Sequence, residues 1–504
     1  MKYFSILCLL FSSIVHAQIN FTDTSSLVAI NISKAHCIEK NDIRFPAHHA
    51  VAIHELTFRD CCADSKNYFT IHDSLQAKKR YPLWAPCLSV IESTAVLWTF
   101  DRYILNETTS KIGINSWKYN LKYGWEWGKE KFGQSFFFNI ISGASYFNSA
   151  RPLGYSFYES IPFAIGGSVL LEFFGHTMRP TYNDIIYTPV NGVFFGEILY
   201  RLSSDVLDER TTGFERVMRE IGGGMLDPGR AVSRLFQGRI FKVAKVDSYE
   251  KEPLDFAVKA GFGRINNGTR IGTGSIKELL NLSFNYGNPF EIKDREIMDY
   301  FTLHFDFINK SRSKWLENVS EYGLLCGKNK QFGKKEILLG LFQYYDFIDN
   351  TIYDISAMAF GGGFISRSPI RKNTNLLMNF HLGIVPFGGN SRQFGIDTSQ
   401  FRKYNFGGGL ESKLECTLDI CNSVVAEVKS NYYWLHSYNG LEGNFITGII
   451  RPRIVFRFLK HTEIGIEYLM YYNSKYAYNV PAIHYRNYEE KIFLAYHLNC
   501  CEKK

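Results

Sequence analysis

From Asp255 to Leu498, apolar and polar residues alternate. Phe301, Leu303, Phe305 and Phe307 interleave with Thr302, His304 and Asp306. Leu376, Met378, Phe380, Leu382 and Ile384 interleave with Asn379, His381 and Gly383. Ile450, Ile454, Phe456 and Phe458 flank Arg451, Arg453 and Arg457, and Ile464, Ile466, Tyr468 and Met470 flank Glu463, Gly465 and Glu467. A period of two sends the two sets to opposite faces of a strand. About twelve such runs, each on the order of ten residues and separated by Gly, Asn, Asp or Lys-rich turns, predict a transmembrane antiparallel barrel over residues 250–499. A soluble sandwich or barrel with its charged faces in water is the competing pattern.

Upstream, the period lengthens to that of a helix. Val90, Ile91, Ala95, Val96, Leu97 and Phe100 form a stripe within Leu88–Leu105. Further helices are predicted over 136–150, 156–174 and 183–202, the last interrupted at Thr188-Pro189. Residues 117–128, rich in Trp, Tyr and Gly, read as a loop or interfacial piece, and 210–238 as a charged amphipathic stretch. Ile161 to Leu171 is the longest uncharged apolar run, about half of the roughly 20 residues a span needs. The helical region 88–240 is therefore expected to be buried in protein, at the periplasmic mouth of the barrel or inside it as a plug. The expected class is α+β, a helical block followed by the barrel.

Residues 18–87 are polar and irregular. His48, His49, His54, Cys61 and Cys62 are too loosely spaced for a metal site. Lys2, the apolar run Tyr3 to Val15, and Val15-His16-Ala17 make residues 1–17 a secretory leader.

Composition adds three points. The aromatic fraction is 16% with only 14 prolines, which suits half-buried strands and membrane interfaces. The formal charge of +8 is mild and dispersed. It fits anionic lipid and gives no support for nucleic acid. Of ten cysteines, Cys8 lies in the leader, so nine remain, an odd number. Cys416 and Cys421 flank an expected turn and could close a hairpin, while Cys37, Cys61, Cys62 and Cys87 could staple the N-terminal segment. No C-x2-C pair is present, so no zinc site, and no cofactor, is expected.

The segment 145–201 concentrates charge among apolar residues. It contains Tyr146-Phe147-Asn148-Ser149-Ala150-Arg151, then Gly154, Ser156, Phe157, Glu159 and Ser160, then Gly167, Ser168 and Glu172. Pro180, Asn183, Asp184, Ile185, Ile186, Thr188 and Pro189 follow, then Gly196, Glu197, Arg201, Leu202 and Ser203. A last block holds Arg210, Gly213, Arg216, Arg219, Glu220, Pro228, Arg230, Arg234 and Gly238. In this order the motifs resemble a bacterial family called domain of unknown function 3943, over roughly residues 110–240. Relatives often carry a His-Pro pair where this chain has Asn139-Ile140-Ile141-Ser142-Gly143. The resemblance implies an outer-membrane protein and names no reaction.

The candidate polar cluster is Asn148, Arg151, Ser156, Glu159, Glu172, Asn183, Asp184, Glu197 and Arg201. Buried charges are costly unless paired, so pairing between helices is the first expectation. A polar path or head-group site is the functional one, and Glu159 with Asp184 or Glu197 the acid–base one. Gly192 and Gly196 permit close helix approach. In the barrel, Arg451, Arg453 and Arg457 precede Glu463 and Glu467 across a short turn, placing opposite signs face to face in the lumen. They make either a filled interior or a charged lumen that selects anions or head groups. No Ser-His constellation, G-x-S-x-G, P-loop, dinucleotide fingerprint or HExxH is present.

Taken together, the sequence predicts an exported Gram-negative protein of the cell outer membrane. Its partners are outer-membrane lipid and the barrel-insertion machinery. Its role is structural, binding or passage with a helical plug. The alternatives are a lipid- or lipopolysaccharide-modifying enzyme and a soluble periplasmic protein.

Overall fold

The computed structural model describes residues 80–499 apart from 105, 245–248, 250, 310–314, 351, 392–403 and 479–480. The leader, most of the 18–87 segment and Cys37, Cys61 and Cys62 lie outside the described residues. Among the described residues seven α-helices come first: α1 (Trp84–Thr99), α2 (Ile114–Tyr123), α3 (Asn139–Phe147), α4 (Phe157–Phe174), α5 (Tyr182–Val206), α6 (Gly213–Leu226) and α7 (Pro228–Phe236). Twelve strands follow: β1 (Leu254–Asn267), β2 (Arg270–Tyr286), β3 (Phe301–Asn309), β4 (Leu316–Phe332), β5 (Lys335–Asp349), β6 (Asp354–Arg371), β7 (Thr374–Ser391), β8 (Tyr404–Ile420), β9 (Val424–Asn439), β10 (Gly443–Leu459), β11 (Thr462–Ala477) and β12 (Ile483–Asn499). Each strand pairs antiparallel with its sequence neighbour, and β1 pairs with β12 to close the barrel.

Ion pairs identify the inside. Lys413 on β8 bonds Asp346 on β5, over two intervening strands. Lys277 on β2 bonds Glu317 on β4 and, at 2.9 Å, Glu489 on β12. Only the lumen brings such strands together. The opposite parity faces outward and is apolar and exposed, as at Leu382, Ile384, Ile454, Ile466 and Ile492. A charged inside and an apolar outside invert the order of a soluble barrel and make this a transmembrane one. Among the described residues no helix is long and apolar enough to cross a membrane. One rim carries the short turns 333–334, 372–373, 421–423 and 460–461, together with the start of β1 and the end of β12.

The helices do not occupy the lumen, so the expected plug is corrected. They sit on the outside of β2–β8, and strand register shows it. Phe305, Val319, Phe347, Ser356, Gly389 and Phe406 form one cross-strand row. Leu303, Glu321, Tyr345, Met358 and Phe387 form the next. Both rows have the parity opposite to lumen-facing Asp346, and both are covered by helical residues. Tyr345 Oη donates to the Phe136 carbonyl at 2.6 Å. Ser356 Oγ donates to the Asp346 carbonyl and takes a 2.7 Å bond from Tyr187 Oη. Trp127 lies on Phe387 and Phe406, and Phe194 on Phe360. At Gly389 an added Cβ would stand 2.2 Å from the Phe136 ring, so the closest approach of block to wall requires glycine there. The physical reason is volume: interior side chains, including Phe342, Tyr344, Tyr433 and Tyr471, already pack across the lumen at the level of the helices.

Three further expectations change. α5 runs unbroken through Pro189 for 25 residues. Tyr187, Thr188, Pro189, Asn191 and Gly192 are all buried, and that packing offsets the lost hydrogen bond. The predicted loop 117–128 begins as helix, the C-terminal part of α2. Cys416 and Cys421 are free thiols. Five steps along nearly extended chain hold them about 16 Å apart, beyond the reach of a disulfide.

Candidate functional site

The motif residues form two polar clusters, one at each end of α5. α3 and α5 meet at the glycines: a Cβ on Gly192 would lie 2.5 Å from the Gly143 backbone. A Cβ on Gly196 would lie 2.9 Å from Phe147. This small-residue contact aligns Asn148 and Arg151 with the second half of α5, and Asn148 Nδ2 donates to the Gly196 carbonyl at 3.1 Å.

The first cluster is centred on Glu197, which has no exposed surface. Arg151 approaches it with two hydrogen bonds, Nε to Oε2 at 2.7 Å and Nη2 to Oε1 at 3.1 Å. Arg201 Nε donates to Oε1 at 2.9 Å. Arg201 continues to Asp299 Oδ1 at 3.1 Å and the Ile297 carbonyl at 2.8 Å, both in the β2–β3 connection. Burial would oppose ionisation of Glu197 were it alone, and the two guanidinium groups supply the opposite charge it needs. This chain of charges ties the helices to the barrel rim. Arg216 and Arg234 continue the pattern in α6 and α7, Arg216 on the Asp208 carbonyl at 2.7 Å and Arg234 on Glu220 at 2.7 Å.

The second cluster has carboxylates and no arginine among its hydrogen-bond partners. Asp184 Oδ1 accepts from Asn139 Nδ2 at 2.7 Å and Asn183 Nδ2 at 2.6 Å. Asn183 Oδ1 accepts from the Gly128 amide at 2.8 Å. Glu172 Oε2 accepts from the Thr181 amide at 2.8 Å and the Thr181 hydroxyl at 3.3 Å.

Ser156 and Glu159 belong to neither cluster. Ser156 caps α4 and Glu159 Oε2 accepts the Ser156 amide at 2.9 Å, a reciprocal capping box. Glu159 is exposed and pairs with Arg80 at 2.7 Å. Its described contacts include neither Asp184 nor Glu197, so the acid–base pair drawn from sequence is not assembled. Among the described residues no group of three His, Cys, Asp or Glu is placed to hold a metal ion. Asp299 lay outside the sequence-derived set, as did Asn139 as a contributor. Asn139 occupies the stretch where relatives carry His-Pro, which was the available signal.

In the lumen, Arg453 stands opposite Glu467 and Arg457 opposite Glu463 in the β10–β11 register. Arg457 bonds Glu463 and Asp419, each at 2.8 Å, and Arg453 bonds Glu427. Arg451 shares their inward parity. Lys413, Asp346 and Tyr344 were not singled out, although Tyr344 Oη lies 3.0 Å from His381 Nδ1.

Residues 124–229, which contain both helical clusters, match the family described as Domain of unknown function (DUF3943). No curated protein matches. Among solved structures, the outer-membrane channel DcaP of Acinetobacter baumannii aligns at 7% identity, TM-score 0.24, over 49% of this chain and 96% of that one. The NanC porin aligns at 10% identity, TM-score 0.27, over 48% and 100%. An outer-membrane channel from Pseudomonas putida F1 aligns at 9% identity, TM-score 0.28, over 49% and 97%. Likenesses this distant carry no argument about role.

Proposed function

We propose that the protein is an outer-membrane barrel with a structural or binding role, closed to free diffusion, whose outer wall carries the helical block. The observation that supports this reading is a layer of side chains that meet across the lumen. Lys413 reaches Asp346 across it. Tyr353, from the β5–β6 connection, stacks edge-on with Tyr471 of β11 at 5.8 Å between ring centroids. Those two residues come from nearly opposite walls of a twelve-stranded ring. A solute path requires water where these side chains stand. The charged lumen residues are then interior ion pairs rather than a selectivity filter.

Export through the leader 1–17 and insertion by the barrel machinery belong to the same reading, with the short-turn rim facing the periplasm. The test is conductance of the purified, heat-modifiable protein in planar bilayers. The expected trace is silent, and sustained open-state current in wild type overturns the proposal.

A further inference from the structure

The helical block shares the barrel's inverted distribution of polarity. Trp84, Leu88, Ile91, Ala95 and Thr99 of α1 are exposed, at steps of four, three, four and four, which is one continuous face of a helix. Its buried residues, Pro86, Val90 and Thr94, lie on the other side. The single charged residue of α1, Glu92, is half-buried. The exposed face continues through Phe100, Tyr103 and Ile104. A surface helix in water turns its apolar stripe inward; this one turns it outward.

α4 repeats the arrangement. Tyr158, Pro162 and Ile165 are exposed, no charged residue occurs between Ser160 and Leu171, and Glu172 is turned inside onto Thr181. The inner face of the block is seated on the outward rows of β3–β8, and the same outward parity elsewhere on the barrel is the bare apolar belt.

We propose that the helical block is embedded in the bilayer alongside the barrel, with the exposed faces of α1 and α4 against lipid acyl chains. The inference rests on the outer-membrane reading above. Three observations favour lipid over another occupant. The apolar surface is continuous with the barrel's own belt. The α1 stripe with its extension, from Trp84 to Tyr103, covers about 29 Å at helical rise, close to the roughly 30 Å of a hydrocarbon core. Its two ends carry Trp84 and the pair Phe100 and Tyr103, the amphipathic or aromatic rings that settle at membrane interfaces. Neither helix has to cross alone, because the barrel wall and the other helices cover the polar inner side.

The test places a nitroxide at Ile91→Cys, and separately at Leu88→Cys, in a background with the native cysteines replaced by serine. Heat-modifiable mobility confirms folding. The protein is reconstituted in vesicles of phosphatidylethanolamine and phosphatidylglycerol. Collision rates are read with oxygen, which partitions into lipid, and with a nickel chelate, which stays in water. Ile454→Cys on the bare wall and Lys242→Cys below the block serve as lipid and water references. The expected result is oxygen access severalfold above nickel access at both α1 sites, matching Ile454→Cys. Nickel access at α1 with lipid access at Ile454→Cys overturns the inference alone. Nickel access at both also overturns the membrane reading. Shielding from both reagents at α1 overturns it in favour of a protein partner or a second copy of the chain.

Discussion

Replacing Glu197 by glutamine removes one charge from the centre of a fully buried network and leaves its shape nearly unchanged. The wild-type carboxylate takes three hydrogen bonds from two arginines, between 2.7 and 3.1 Å. Glutamine keeps one oxygen acceptor and turns an NH2 group towards donors. Arg201 retains Asp299 and the Ile297 carbonyl. Arg151 retains only the Tyr155 carbonyl at 3.2 Å and the face of Tyr200. Breaking a buried ion pair costs about 3–5 kcal/mol. Because one of the two cations keeps an anion, the lower end applies, about 3 kcal/mol. At 1.36 kcal/mol per decade this is on the order of a hundredfold in the docking equilibrium of the helices. The assay is urea-dependent protease cleavage within 145–240, with barrel integrity followed separately by heat-modifiable mobility. Glu159→Gln, at an exposed cap, is the comparison and should leave the cleavage profile close to that of wild type. If Glu197→Gln protects the block as well as wild type does, the network is not what ties it to the rim.

Gly192→Val should separate α3 from α5, since even a Cβ would stand 2.5 Å from the Gly143 backbone; the barrel should still fold, with the block open to protease.

The barrel was legible because its lumen is charged and its outer wall apolar, so the two faces differ at almost every step. Arg453 and Glu467 could be set opposite each other from the turn between them. The position of the helices was not legible. Phe301, Leu303, Phe305 and Phe347 are outward apolar residues whether lipid or a helix covers them, and no periodicity separates the two. Asp299 gives no local sign of its bond to Arg201, because their proximity is created only by docking. Ser156 and Glu159 were misread as site residues, although Ser-x-x-Glu before an apolar run is itself the signature of a helix start. Pro189 suggested a break because local rules count a missing hydrogen bond and not the burial around it.

Photocrosslinking distinguishes helices on the outside of the wall from helices in the lumen. A benzophenone amino acid is placed at Phe347, in an outward row against Phe132 and Phe137, and separately at Tyr433, a fully buried lumen position. Illumination is expected to join position 347 to the peptide containing 132–137, while position 433 captures only barrel peptides. Capture of helical peptides from position 433, with none from 347, would place the block in the lumen instead.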